Sequence, residues 1–148
     1  MKKIYQTIID KGHGNCMQAT IASIFDLTLD EVPNFIELDC NWFNVMGQMY
    51  IDRGYDLCCF NPQRDIEQTK EVLAVDKGVN GYWVATVNSI YFGGSITHSV
   101  IIDKDLNVVH DPNPNNKGHV YKVEDILAID VCGKSQWYID IDGKLIIR

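Results

Sequence analysis

Helical periodicity in the first half of the chain and β-branched runs in the second predict an α+β fold, with helices packed on an antiparallel sheet. Three observations carry that expectation. Met17, Ile21, Ile24 and Phe25 recur at one-face helical spacing. Residues 82–87, 98–102 and 108–111 are dense in β-branched and aromatic side chains and are separated by turn formers. Near the end, Asp142-Gly143 stands between two apolar runs, as a hairpin turn would. With 148 residues, 46% of them hydrophobic, one domain with its own core is expected over residues 1–148, helical to about residue 76 and β-rich from about 77.

Cys16 opens the first helix, which extends to about Phe25 and in which Ala19, Ala22 and Ser23 are small enough for close packing. A central, buried helix is expected, with Asn15 placed to cap it. Residues 26–33 read as a tight corner containing a short helical turn that Thr28 or Asp30 caps and Pro33 disrupts. A second helix is expected over 41–53, its apolar stripe formed by Trp42, Val45, Met46, Met49 and Tyr50 and its stop by Gly54. Residues 57–60 read as a strand and 65–74 as a third, more exposed helix. After the three central strands, residues 123–126 suggest another short helical turn. Residues 136–141 and 144–147 form the expected hairpin, joined by a two-residue primed turn at Asp142-Gly143. No internal repeat, low-complexity tract or linker interrupts the chain.

A formal charge of -7 with scattered basic residues argues against a nucleic-acid surface, whose affinity comes mainly from clustered Lys and Arg. No segment reaches membrane-spanning length, and the charged start, Met1-Lys2-Lys3, has no long apolar region behind it. A cytoplasmic protein with no membrane partner is expected. The five cysteines, Cys16, Cys40, Cys58, Cys59 and Cys132, are then expected to be reduced. Strand alternation points Cys58 and Cys59 to opposite faces, so at least one should enter the core. His13 and Cys16 are half of a metal set at most, no Cys-x-x-Cys pair occurs, and neither a metal nor a cofactor is expected.

The chemistry-bearing residues run in the order cysteine, histidine, carboxylate. Cys16 follows Gly12-His13-Gly14-Asn15 and sits on the first turn of a helix, where free N–H groups and the positive end of the dipole favour thiolate. Gly12 and Gly14 permit close approach of a substrate. His98 opens one strand and Asp111 closes the next. An even-length loop between them, either Lys104 and Asp105 or residues 104–107, brings imidazole and carboxylate to one face, whereas an odd loop separates them unless a bulge intervenes. Nucleophile, base and orienting carboxylate would then be Cys16, His98 and Asp111. His13 is the rival base, His110 should point opposite to Asp111, and His119 lies in a polar loop.

The run Gly14-Asn15-Cys16 entering a helix, the His98-Ser99-Val100-Ile101 strand and the Val108-Val109-His110-Asp111-Pro112 strand end resemble the papain-like cysteine peptidases. The likeness is greatest to small bacterial and bacteriophage members and to the leader-peptide peptidases that process bacteriocins, and it spans about residues 6–111. It implies a papain-like fold in which Cys16 attacks an acyl carbon, His98 exchanges the proton and Asp111 orients the imidazole. It also implies a glutamine upstream of the cysteine in the oxyanion hole. Gln6 is the candidate there, with Asn15 and Gln18 as alternatives, beside the Cys16 backbone N–H.

The expected function is a cysteine-dependent hydrolase of a peptide, isopeptide or side-chain amide bond in a peptide or protein substrate, working through a thioester. The alternative is a non-catalytic interaction module on the same scaffold, in which Cys16 is packing and the acidic surface, with Trp42, Trp83 and Trp137, engages a protein partner. The Cys16-to-His98 separation distinguishes the two.

Overall fold

The computed structural model describes residues 1–10, 14–62, 65–90, 96–132 and 137–147. Helix α1 (Cys16–Ile24) and helix α2 (Trp42–Asp52) precede strand β1 (Cys58–Phe60) and helix α3 (Ile66–Asp76). Strands β2 (Trp83–Asn88), β3 (Thr97–Ile102), β4 (Val108–His110) and β5 (Ile126–Val131) follow, and β6 (Trp137–Ile139) and β7 (Leu145–Ile147) close the chain. The first five strands form one antiparallel sheet in the order β1-β5-β2-β3-β4, and β6 pairs with β7 apart from it. The architecture is α+β.

Period-2 alternation divides the sheet between two packing faces. Val84 and Ile101 join α1 and α2 in one cluster, where Ile21, Ala22, Met46 and Tyr50 are fully or almost fully buried. Trp83, Ala85, Val100 and Ile102 face the other way, onto Val72 and Leu73 of α3. The third helix is therefore less exposed than its composition suggests. Asp65 caps it by accepting a hydrogen bond from Gln68 N at 3.1 Å, and it continues past residue 74 to Asp76, whose Oδ2 accepts from Trp83 Nε1 at 2.8 Å.

At the corner after α1 a single turn of 3-10 helix spans Leu29–Glu31, and the Glu31 carboxylate accepts from Thr28 N at 2.7 Å. Gln18 ties this corner to α1 by donating from Nε2 to Leu29 O and Val32 O.

Three expectations are corrected. Strand β5 follows the helical turn Val123–Asp125 and lies inside the sheet, although no strand was expected there. A register shift between Thr86 and Val87 explains its weak alternation, because Val87 pairs with Ile126 while Thr86 pairs with Ala128. Cys58 and Cys59 are both exposed, since β1 is an edge strand of which only Phe60 packs against a core cluster. The last hairpin uses a three-residue loop rather than a two-residue primed turn: Asp140 N donates to Lys144 O, and Gly143 takes a left-handed φ of 79°. Asp140 Oδ1 accepts from both Asp142 N and Lys144 N and so selects this form.

The burial map yields a stability test. Ile129→Ala in β5 empties a fully buried position and is expected to cost about 2–5 kcal/mol in urea unfolding. Ile141→Ala, at a fully exposed position, should change stability by less than about 0.5 kcal/mol. Equal effects would contradict the burial assignment.

Candidate active site

Cys16 reaches its position because the chain before it folds back. Asn15 is the residue at the start of α1, but its side chain does not cap the helix. Its Oδ1 instead accepts from Thr7 N at 3.0 Å and Ile8 N at 2.9 Å, while Nδ2 donates to Thr7 Oγ1 and Gln18 Oε1. The expected cap is thus a clamp, because two backbone N–H groups of the returning segment compete for the same oxygen. Gly14 permits the close return: a Cβ there would lie 3.2 Å from Ile8 O and 3.4 Å from Gln6 Nε2. The clamp lays Gln6, Ile9 and Asp10 beside Cys16 in the wall of one cavity of about 90 Å³.

On the other wall, β3 supplies His98. Ser99 Oγ meets Thr20 Oγ1 of α1 at 2.9 Å, holding the first residues of the strand against the helix. The loop to β4 has three residues, Lys104, Asp105 and Leu106, closed by Asp103 N donating to Asn107 O at 3.0 Å. Neither even-length loop forms. Asp103 Oδ1 accepts from Asp105 N and Asn107 N, and Leu106 takes a left-handed φ of 66°, which selects the odd-length turn. A bulge compensates: Ile102 pairs with Val108 but Ile101 pairs with His110, leaving Val109 as the extra residue. The shifted register sets Asp111 across from Val100, on the same face as His98.

His98 Nε2 and Asp111 Oδ1 are 2.6 Å apart. Cys16 and His98 line one cavity, and each favours the charged form of the other. Asp111 is itself held on all sides. Oδ1 also accepts from Asn113 N, while Oδ2 accepts from Asn116 Nδ2 at 2.8 Å and from the Tyr121 hydroxyl at 2.5 Å. Sequence reasoning missed Asn113, Asn116 and Tyr121 as positioning residues. The density of amides in Asn113-Pro114-Asn115-Asn116 directly after Asp111 was the available signal.

Burial opposes charge throughout the group, and the partners overcome it. Burial pushes the Cys16 thiol up, but the hydrogen bond and charge of His98, with the amides of Ser99 and Met17, bring it below its ordinary value. Burial likewise lowers His98, yet the Asp111 hydrogen bond, followed by Cys16, raises it to about 9. Asp111 stays below the usual carboxylate range because its bonds to His98, Tyr121 and Asn116 outweigh its burial. The mutual interactions bias the group toward thiolate, imidazolium and carboxylate, against the burial that opposes each charge.

Among the remaining candidates, Gln6 is buried and its Nε2 donates to Ile8 O at 2.9 Å, which leaves that nitrogen a second proton. Asn15 and Gln18 spend their side chains on the clamp and the corner. His110 points away from the cavity with Nε2 at 2.7 Å from Ile4 O, and burial holds it below its ordinary value. His119 packs edge-on against Tyr121. His13 and Gly12 lie outside the described residues. No group of three metal-ligating side chains occurs among the described residues. A larger cavity of about 480 Å³ opens behind Asp111 and contains neither Cys16 nor His98.

No family model, curated protein or solved structure compared with the chain matches it. Among the described residues no helix is long and apolar enough to cross a membrane. Of the tryptophans considered as a partner surface, Trp83 is core and Trp42 packs against the α1–α2 cluster.

The site geometry predicts an order of thiol reactivity. Cys58 and Cys59 are more exposed than Cys16, so access alone would label them first. Limiting iodoacetamide at neutral pH should nevertheless modify Cys16 first, read by peptide mapping, and His98→Ala should remove that preference. Faster labelling of Cys58 or Cys59 in the native protein would contradict the thiolate assignment.

Proposed function

We propose that this chain is a cysteine-dependent hydrolase of a peptide, isopeptide or side-chain amide bond, working through a thioester on a papain-like scaffold. The observation that carries the reading is His98, bonded through Nε2 to Asp111 at 2.6 Å and lining a common cavity with Cys16. A large gap between Cys16 and His98, filled by packing side chains, would have favoured an interaction module.

Chemistry follows from the charge state. Cys16 Sγ attacks the acyl carbon, and the carbonyl oxygen gathers charge beside the start of α1, where the Cys16 N–H and the second Nε2 proton of Gln6 supply donors. As the C–N bond breaks, imidazolium gives its proton to the leaving nitrogen. The neutral imidazole then takes a proton from water, which attacks the thioester and frees the thiolate. Asp111 holds the ring in the required tautomer through both stages. Asn113, Asn116 and Tyr121 keep Asp111 in place through their bonds to its carboxylate.

An activated ester tests this sequence without knowledge of the natural substrate. With p-nitrophenyl acetate the wild-type protein should release a burst of about one equivalent of p-nitrophenol and carry acetyl on Cys16, detected by mass spectrometry. Cys16→Ala should lose the burst while its thermal midpoint stays within a few degrees, since the change removes one half-buried sulfur. A burst that survives in Cys16→Ala, or acetyl found on another residue, would overturn the proposal.

A further inference from the structure

We infer that the site accepts a primary carboxamide, so that the nitrogen released is ammonia; the inference rests on Cys16 as the nucleophile. Gln6 and Asn116 line the Cys16 cavity, and each carries a buried side-chain oxygen, Gln6 Oε1 and Asn116 Oδ1, with no hydrogen-bond partner. Each residue is only 6% exposed. Their identity as oxygens is set by their other ends. Gln6 Nε2 donates to Ile8 O at 2.9 Å, and Asn116 Nδ2 donates to Asp111 Oδ2 at 2.8 Å. Turning either amide over would set oxygen against oxygen. Buried acceptors without partners are rare in folded proteins and costly to leave unmade, so a pair at one reactive thiol points to a ligand that brings donors.

The lining of the cavity narrows that ligand. Among the described residues no Lys or Arg lines it, and the charged groups besides Cys16 and His98 reduce to Asp10. A carboxylate or phosphate would find no cation beyond His98. A primary carboxamide has two N–H donors for the two acceptors and a carbonyl carbon for Sγ. The step balances. The C–S bond forms as C–N breaks, the His98 proton converts the departing NH2 to ammonia, and water then cleaves the thioester to leave a carboxylate. The substrate class is therefore a glutamine or asparagine side-chain amide, and the net reaction is deamidation.

Two isosteric electrophiles separate this inference from the reading beneath it. Chloroacetamide and chloroacetone differ by NH2 against CH3, so only the first brings N–H donors. The rate of Cys16 alkylation by each is measured on the native protein by peptide mapping and divided by its rate with glutathione. The expected normalised preference for chloroacetamide is about tenfold, from hydrogen bonds recovered at the two acceptors. A ratio near one, with Cys16 still the first cysteine modified by both reagents, overturns the carboxamide inference and leaves the nucleophile standing. Labelling of Cys58 or Cys59 ahead of Cys16 by both reagents overturns the nucleophile and the inference with it.

Discussion

A slip of one residue between β3 and β4 would turn Asp111 to the opposite face of the sheet from His98, and the whole site rests on that slip being excluded. Two local features exclude it together. The Asp103 side chain draws the hairpin into a three-residue turn, which by itself would give the wrong parity. The bulge at Val109 then restores the face, placing Asp111 just beyond β4 and 2.6 Å from His98. Bulges re-aim side chains next to active sites. Here the bulge determines whether the histidine has a partner at all.

Around that register the chain assembles two walls. Asn15 fastens the N-terminal segment beside α1, and Gln6 N donating to Pro112 O at 2.9 Å ties the same segment to the loop after β4. Thr20 and Ser99 join α1 to β3. Thiol and imidazole therefore lie on elements cross-braced by hydrogen bonds, which keeps the geometry in place before a substrate arrives. The electrostatics have the same logic. Burial alone would leave both Cys16 and His98 neutral, and it is their mutual interaction, with Asp111 behind the ring, that favours the charged pair.

Much of this was legible in the residues. The periodicity of Met17, Ile21 and Ile24 marked α1, the β-branched runs marked β2, β3 and β4, and the chain order of Cys16, His98 and Asp111 suggested the group that the fold brings together. What escaped has physical reasons. Strand β5 lost its alternation to the irregularity opposite Thr86 and Val87. The last hairpin was misjudged, and the loop between β3 and β4 was left open, for one reason: Asp103 and Asp140 each accept two backbone N–H bonds across their turns, a side-chain effect that counting loop residues ignores. Asn15 was placed as a cap because caps are local, yet its partners Thr7 and Ile8 come from the returning segment. Tyr121 binds Asp111 from ten positions downstream, through a contact that only the folded loop creates.

The central claim is that His98 is held as imidazolium between Asp111 and the Cys16 thiolate. Nitrogen-15 NMR titration of the His98 ring in the native protein tests it most directly, because ring nitrogen shifts report protonation of that residue alone. The account predicts that His98 remains protonated through neutral pH and loses its proton near pH 9, and that Cys16→Ser lowers this midpoint by removing the thiolate. A His98 ring that titrates at or below its ordinary value of 6.5, unchanged by Cys16→Ser, would contradict it.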